Sequence, residues 1–387
     1  MNGVSNLSLV NNSKVGEIAF IDLKAQQKRI RQRLEARLTN VLDHGRYING
    51  PEIEEFESAL AAHIGADEVV ACASGTAALI APLLAFDLQA GDAVFLPSFT
   101  YNATANAVIL AGGTPVFVDI DRTTFNMCPK DLERRLKAVK DAGELRPRII
   151  LPVDLFGSPA DYPSFEKIAV REGLDLLADG AQGFGGQLNG QKIGNIAPAT
   201  ALSFFPGKAL GAYGEAGAIV AKNNGDADHW RSIRWHGTDD ARKNSVRVGF
   251  NGRMDSFQAG ILIEKLAIAN EELERRLEVA AYYEGRLSQI AQLQRHIDGA
   301  RSGHNYYSLC VPERDQVAGK LNEMGVPTAI YYATPLHQMA AFQKYAANVE
   351  LIETQKVSKE ILSLPMHPYL TNVQLEYICD CFEAALA

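Results

Sequence analysis

From Glu68 to about Lys222 the chain alternates short apolar runs with helix-sized segments, and few folds accommodate that cadence. The runs are Val69–Ala73, Ala93–Leu96, Pro115–Val118, Arg148–Val153, Leu174–Ala178, Ala201–Phe204 and Ala218–Val220. They fit strands buried on both faces. The segments Thr76–Phe86, Asn102–Ala111, Lys130–Asp141 and Tyr162–Glu172 are long enough for helices. The pattern predicts an α/β fold: a large domain with a mostly parallel seven-stranded sheet sandwiched by helices.

The flanking sequence changes texture. Lys24 to Leu42 reads as an amphipathic helix, with Ile30, Leu34, Leu38 and Val41 in register. Gly45 ends it, and Gly50-Pro51 opens another helix carrying Ile53, Phe56 and Leu60. Asp255 to Ile290 reads as one long helix bridging two domains. Beyond it come strand-like His304–Val311, a helix Asp315–Met324, strand-like Thr328–Tyr332 and further helices. At ~150 residues per domain, a chain of 387 residues suits two domains. The expected division is a flexible polar lead-in over 1–17, a large domain over 18–270 and a smaller α+β domain over 271–387.

Composition narrows the function classes. With 47% hydrophobic and 22% charged residues, the chain is neither disordered nor coiled-coil. Its net charge of −8 disfavours nucleic acid as a partner. Met1–Glu17 lacks the apolar stretch of a secretory signal. The uncharged run Ala93–Val118 is interrupted by Pro97, Asn102, Asn106, Gly112, Gly113 and Pro115, so no membrane span is expected. Five cysteines without a CxxC pair fit buried thiols in a reducing cytoplasm. No His/Cys/Asp cluster has metal-binding spacing. His236 reads equally as cleft-lining or structural, while His337 and His367 read as packing residues.

Three places carry chemistry. Ala73-Ser74-Gly75-Thr76-Ala77-Ala78-Leu79 joins a strand end to a helix start through small side chains. That is either a phosphate cradle or simply a capped helix. Asp179 closes an apolar strand, where a carboxylate is expensive without a cation or donors; an N-cap is the plainer reading. Between Ile193 and Ala221 the only charged residues are Lys208 and Glu215. A desolvated Lys208 has a depressed pKa and becomes a nucleophile, unless it simply reaches solvent.

Together the three sites suit pyridoxal 5′-phosphate (PLP), which needs a lysine for its aldehyde, an acid at its ring nitrogen and an anion site. Asp179 precedes Lys208 by 29 residues, room for one intervening strand. An aspartate ~4 Å from the ring nitrogen is worth about 4 kcal/mol at an effective dielectric of ~20. That is roughly three pKa units, enough to keep the ring protonated at neutral pH.

The chain resembles the DegT/StrS family of nucleotide-sugar aminotransferases, of PLP fold type I, over nearly its whole length. Four ordered stretches carry the likeness: Ser74–Leu79, Asp179-Gly180-Ala181-Gln182, Ser203–Lys208 and Gly249–Asp255. The resemblance implies that Lys208 binds the cofactor aldehyde and that Asp179 pairs with the pyridine nitrogen, with Gln182 nearby. It implies that Tyr101 stacks on the ring and that Gly75, Thr76, Ala77 and Ser203 hold the phosphate. Asn251 matches a residue contributed by the partner subunit, implying a homodimer with shared sites. Arg253, Tyr331 and Tyr332 match positions near the sugar.

Within the family the likeness is greatest to enzymes acting on UDP-2-acetamido-3-oxo-glucuronic acid in surface polysaccharide (O-antigen) assembly. It implies glutamate as donor, with the cofactor cycling between PLP and its pyridoxamine form (PMP). Two positions depart from the family pattern: Ala216 replaces a glycine, and Tyr331 stands where the nearest subgroup has histidine. Other readings are a 4-keto-6-deoxy-sugar aminotransferase, a sugar dehydratase on the same scaffold and a non-catalytic sensor. Lys208 speaks against the dehydratase, whose lysine is replaced by histidine.

Overall fold

The computed structural model describes residues 15–222, 224–346 and 349–387. The polar lead-in therefore lies mostly outside the described residues; Val15 and Ile18 are buried against the C-terminal layer.

Two N-terminal helices, α1 (Leu23–His44) and α2 (Pro51–Ile64), lead into the sheet. There follow β1 (Glu68–Cys72), α3 (Gly75–Ala85), β2 (Asp92–Pro97), α4 (Ala103–Leu110), β3 (Thr114–Val118), α5 (Pro129–Ala142) and β4 (Arg146–Ile150). Next come α6 (Tyr162–Glu172), β5 (Asp175–Asp179), β6 (Gln187–Leu188), β7 (Gln191–Lys192), β8 (Ala199–Ser203) and β9 (Gly217–Ala221). The strand order of the main sheet is β1-β9-β8-β5-β4-β2-β3, and only β9 runs against the rest.

The sheet is covered on both faces, which is why its strands are apolar throughout. One face packs α3, α4 and α7 (Asn224–Ile233) through Leu79, Leu83, Val108 and Trp230. The other carries α5 and α6 through Leu132, Leu136 and Phe165. It also carries α2 and α8 (Ser256–Leu266) through Phe56, Leu60 and Leu262. Burying one such side chain contributes ~1.5–3 kcal/mol.

A second layer holds α9 (Ala269–Leu287), β10 (Gln292–Leu293), β11 (Ala300–Arg301), β12 (Tyr307–Cys310), α10 (Arg314–Glu323), α11 (Ile352–Glu360), β13 (Ile361–Leu364) and α12 (Asn372–Leu386). Its small antiparallel sheet, β10-β12-β13, is backed by α9, α10 and α12. Leu336, Phe342 and Leu351 leave this layer and pack into the core beside α3 and α4.

Two elements differ from expectation. The helix expected over Asp255–Ile290 is broken between α8 and α9 at Ala267-Ile268. There the Ile268 N–H bonds the Lys265 carbonyl in a tightened turn, and the Ile268 side chain is buried against Ile30 and Leu34. No glycine or proline signals the break. The strand expected over Thr328–Tyr332 is reduced to one bridge, Ala329 to Ser363. Beyond it, Tyr331 and Tyr332 turn into an aromatic cluster.

Candidate active site

The parallel strands deliver their carboxyl ends to one edge, where ligands bind in open α/β sheets. β5 ends at Asp179, β8 ends at Ser203, and β1 runs through Ala73 into the start of α3. Ser74 caps that helix: its Oγ accepts the Ala77 N–H at 3.1 Å. A Cβ on Gly75 would stand 2.7 Å from Ser203 Cβ, and one on Gly217 would stand 2.6 Å from the Gly75 nitrogen. Glycine at both positions lets β8 and β9 press against the first turn of α3. The Gly75 and Thr76 N–H groups at its start have no intrahelical acceptors, so the cradle suits an anion.

Lys208 sits on the loop between β8 and β9. The loop closes on itself through Ala212 N–H to Phe204 O at 2.7 Å and Lys208 N–H to Phe205 O at 2.8 Å. The Asn305 amide oxygen accepts the Ala209 N–H at 2.8 Å. Lys208 Nζ lies 5.7 Å from the Tyr306 ring centroid. It has no hydrogen-bond or ion-pair partner among the described residues. Desolvation pulls its pKa down to about 8, against the opposing pull of Asp179.

Asp179 is buried. Its Oδ2 accepts from Thr104 Oγ1 at 2.8 Å, and its Oδ1 accepts from the Ala181 N–H at 3.1 Å. Burial raises its pKa, while those two donors and Lys208 oppose the rise. Asp154 lies on the neighbouring chain segment, where its N–H bonds the Asp179 carbonyl at 3.0 Å. The Asp154 carboxyl takes the Tyr162 hydroxyl at 2.8 Å and the Ala160 N–H at 2.9 Å. Burial pushes it up to about 7.

Gln182 is a tie. Its amide oxygen accepts the Phe156 N–H at 2.8 Å, and its Nε2 donates to the Tyr332 hydroxyl at 2.8 Å. Tyr332 packs beside Phe99 and Tyr101, with centroids 6.0 and 6.3 Å away, and Tyr331 packs 4.5 Å from Tyr306. Tyr101 is 59% exposed, so much of its ring is open to the cleft.

Asn251 and Arg253 stand apart. Arg253 Nε donates to Asn251 Oδ1 at 3.0 Å, and the guanidinium lies 4.7 Å from the Trp235 ring. Between them, the Gly252 carbonyl accepts the Ala73 N–H at 2.8 Å, placing this loop at the end of β1. Neither side chain contacts Lys208 or Asp179 within the chain. His337 and His367 are packed: His337 Nδ1 is 2.7 Å from Ser98 Oγ, and His367 Nε2 is 3.1 Å from the Ala19 carbonyl.

Residues 28–383 match the DegT/DnrJ/EryC1/StrS aminotransferase family. The chain belongs to that family. It is 39% identical over 363 residues to UDP-2-acetamido-2-deoxy-3-oxo-D-glucuronate aminotransferase of Pseudomonas aeruginosa, covering 94% of this chain and 98% of the relative. A DegT/DnrJ/EryC1/StrS aminotransferase from Brucella abortus superposes with a TM-score of 0.92 at 41% identity, over 95% of this chain and 98% of that one. NtdA from Bacillus subtilis, solved with bound cofactor PMP, superposes with a TM-score of 0.85 at 30% identity, over 95% and 83% of the two chains.

Aminotransferases of the DegT/DnrJ/EryC1/StrS family depend on PLP, and the residues here fit that group. An amine without a partner among the described residues, a buried carboxylate whose charge acts on it and a backbone cradle gather at the carboxyl-end edge of the sheet. Thr104, Asn305 and Tyr306 were not singled out from sequence. Each is of a common type for its element, and no local pattern marks it.

Proposed function

We propose that this chain moves an amino group from glutamate to a keto group of a nucleotide-linked sugar. The 3-oxo position of UDP-2-acetamido-2-deoxy-glucuronic acid is the acceptor that its similarity to the Pseudomonas enzyme supports. The observation that carries the reading is the Lys208 amine, held without a partner in the cleft that Asp179 and the tyrosines line.

When bound, PLP supplies an aldehyde that exchanges amino groups and a ring that withdraws electrons. Lys208 would hold it covalently, and its lowered pKa keeps the neutral, nucleophilic amine abundant near pH 8. Released from that bond, Lys208 Nζ takes a proton from one carbon and returns it to another. Asp179, whose charged form Thr104 and the Ala181 N–H favour against burial, would hold the ring N–H. Gly75, Thr76, Ala77 and Ser203 would bind the phosphate through the first turn of α3. Tyr101 would stack on the cofactor ring, and Gln182 holds the Tyr332 hydroxyl.

Arg253, Tyr331 and Tyr332 belong to the sugar side, where Arg253 is suited to pair bidentately with a uronic carboxylate. Asn251 is exposed and would serve a second copy in a homodimer with shared sites. Exposed Phe205, Val246 and Val248 are apolar surface for that pairing. The same reading takes residues 18–270 as the cofactor-holding unit and 271–387 as the smaller one. It puts the enzyme in the cytoplasm, in surface polysaccharide assembly; no described helix is long and apolar enough to cross a membrane.

The test is incubation of the purified protein with PLP, glutamate and a panel of 3-keto and 4-keto UDP- and dTDP-sugars, read by product mass. The expected product is the amine of the UDP-linked 3-oxo uronic acid. Amination of 4-keto-6-deoxy sugars alone would overturn the substrate, and no amination of any sugar would overturn the transfer.

A further inference from the structure

Lys265 is a second lysine under the same loop, and nothing in the reaction uses it. It lies on α8 with 1% of its surface exposed. Its Nζ donates to the Gly211 carbonyl at 2.5 Å and lies 4.3 Å from the Tyr213 ring centroid. Gly211 is three residues past Lys208, where the loop doubles back. A Cβ there would stand 2.5 Å from the Pro206 carbonyl, so the backbone is already in close contact with itself. Apart from Asn305, which takes the Ala209 N–H, Lys265 is the side chain outside the loop that bonds its Lys208–Gly211 backbone among the described residues. The loop is thus held just past its reactive residue, at Ala209 from the small layer by Asn305 and at Gly211 from α8 by Lys265.

Burying a lysine amine is costly, burial pulling its pKa down to about 8, and packing alone does not account for it: leucine or methionine would fill the slot beside Tyr213 more cheaply. The carboxylate whose charge favours its protonated form, Glu272, makes no ion pair with it among the described residues and is itself buried and bonded to Gln26 at 2.7 Å and to the Tyr369 hydroxyl. A residue kept polar at this cost, with its one hydrogen bond directed at the loop, has a task there.

We propose that Lys265 is a positioning residue for Lys208: it clamps the Gly211 carbonyl and so fixes where the Lys208 amine points. The proposal rests on the reading of Lys208 as the cofactor lysine. The Lys265 amine is directed at the Gly211 carbonyl, so its effect comes through the loop. Displacement of a reacting group by ~1 Å costs on the order of a hundred-fold in rate.

The experiment compares full-length wild type, Lys265→Met and Lys265→Arg. Methionine fills the volume without a donor, and arginine keeps both donor and charge. Lys265→Met is expected to lower kcat by about ten-fold or more with KM for the sugar within about two-fold. Backbone hydrogen exchange should accelerate in residues 205–213 and stay unchanged in the sheet. Lys265→Arg should recover most of the turnover. Wild-type kcat in Lys265→Met would overturn the clamp, as would equal loss in both variants with unchanged exchange of the loop. Should Lys265→Met fail to fold, Lys265→Gln, too short to reach Gly211, is read on the same scales with the same expected losses. Wild-type protein that shows no visible absorbance with PLP would sink the Lys208 reading itself, whereas a wild-type band with an unaffected Lys265→Met variant sinks only the clamp.

Discussion

Thr104 Oγ1 donates to Asp179 Oδ2 across 2.8 Å, tying the first turn of α4 to the end of β5. The bond favours the charged form of Asp179 against the pull of burial. Burial favours the neutral acid, and a donated hydrogen bond favours the anion. A hydrogen bond to a charged group is worth ~1.5–3 kcal/mol. Thr104→Val should therefore lower kcat by about ten- to a hundred-fold, and Thr104→Ser should restore it. Steady-state kinetics of the two variants check this; a Val variant with wild-type kcat would remove Thr104 from the account.

Removing the charge of Asp179 is expected to do more. Asp179→Asn keeps the shape but loses the anion facing the ring nitrogen. The variant should bind PLP more weakly and transaminate at least a hundred-fold more slowly, since about three pKa units of ring basicity are at stake. Cofactor titration by absorbance and single-turnover kinetics with glutamate measure the two effects.

Asp154 makes a prediction about stability. Its folded pKa of about 7 exceeds the ordinary carboxylate value, so the folded state holds a proton that the unfolded chain has lost. Between the ordinary carboxylate range and about pH 7, stability contributed by this group falls as pH rises. Asp154→Asn keeps an uncharged side chain there and should flatten that fall. Melting curves of the cofactor-free protein at pH 5.5 and 8.5 test it. Wild type should lose several degrees more than the variant over that interval, and equal slopes would contradict the assignment.

The fold was legible because a sheet buried on both faces writes its strands as unbroken apolar runs, as in Ala93–Leu96 and Ala218–Val220. Asp179 and Lys208 stood out for the same reason, each being a charge set in apolar surroundings. The partners of those charges left no such mark. Thr104 lies 75 residues from Asp179 in an ordinary helical segment. Tyr306 reaches Lys208 from the other layer, and a tyrosine in a strand-like stretch reads as packing. Lys265 sits on an amphipathic helix where a lysine passes for surface. The break at Ala267-Ile268 was hidden because tertiary burial of Ile268, rather than a glycine or proline, turns the chain.

The Gln182–Tyr332 bond joins the cofactor side of the cleft to the sugar side. Tyr332→Phe leaves the Gln182 amide without its acceptor, and a buried unpaired donor costs ~1–3 kcal/mol. The variant should melt several degrees lower and show a raised KM for the sugar, with glutamate kinetics little changed. A rise in the KM for glutamate alone would place Tyr332 elsewhere in the cycle.

The central claim is that Lys208 carries the cofactor. Borohydride reduction of the PLP-loaded protein, followed by proteolysis and mass spectrometry, fixes the covalent attachment point. The account predicts one phosphopyridoxyl group on the peptide containing Lys208 and none in Lys208→Ala; a modified Lys265, or a protein left unmodified, would contradict it.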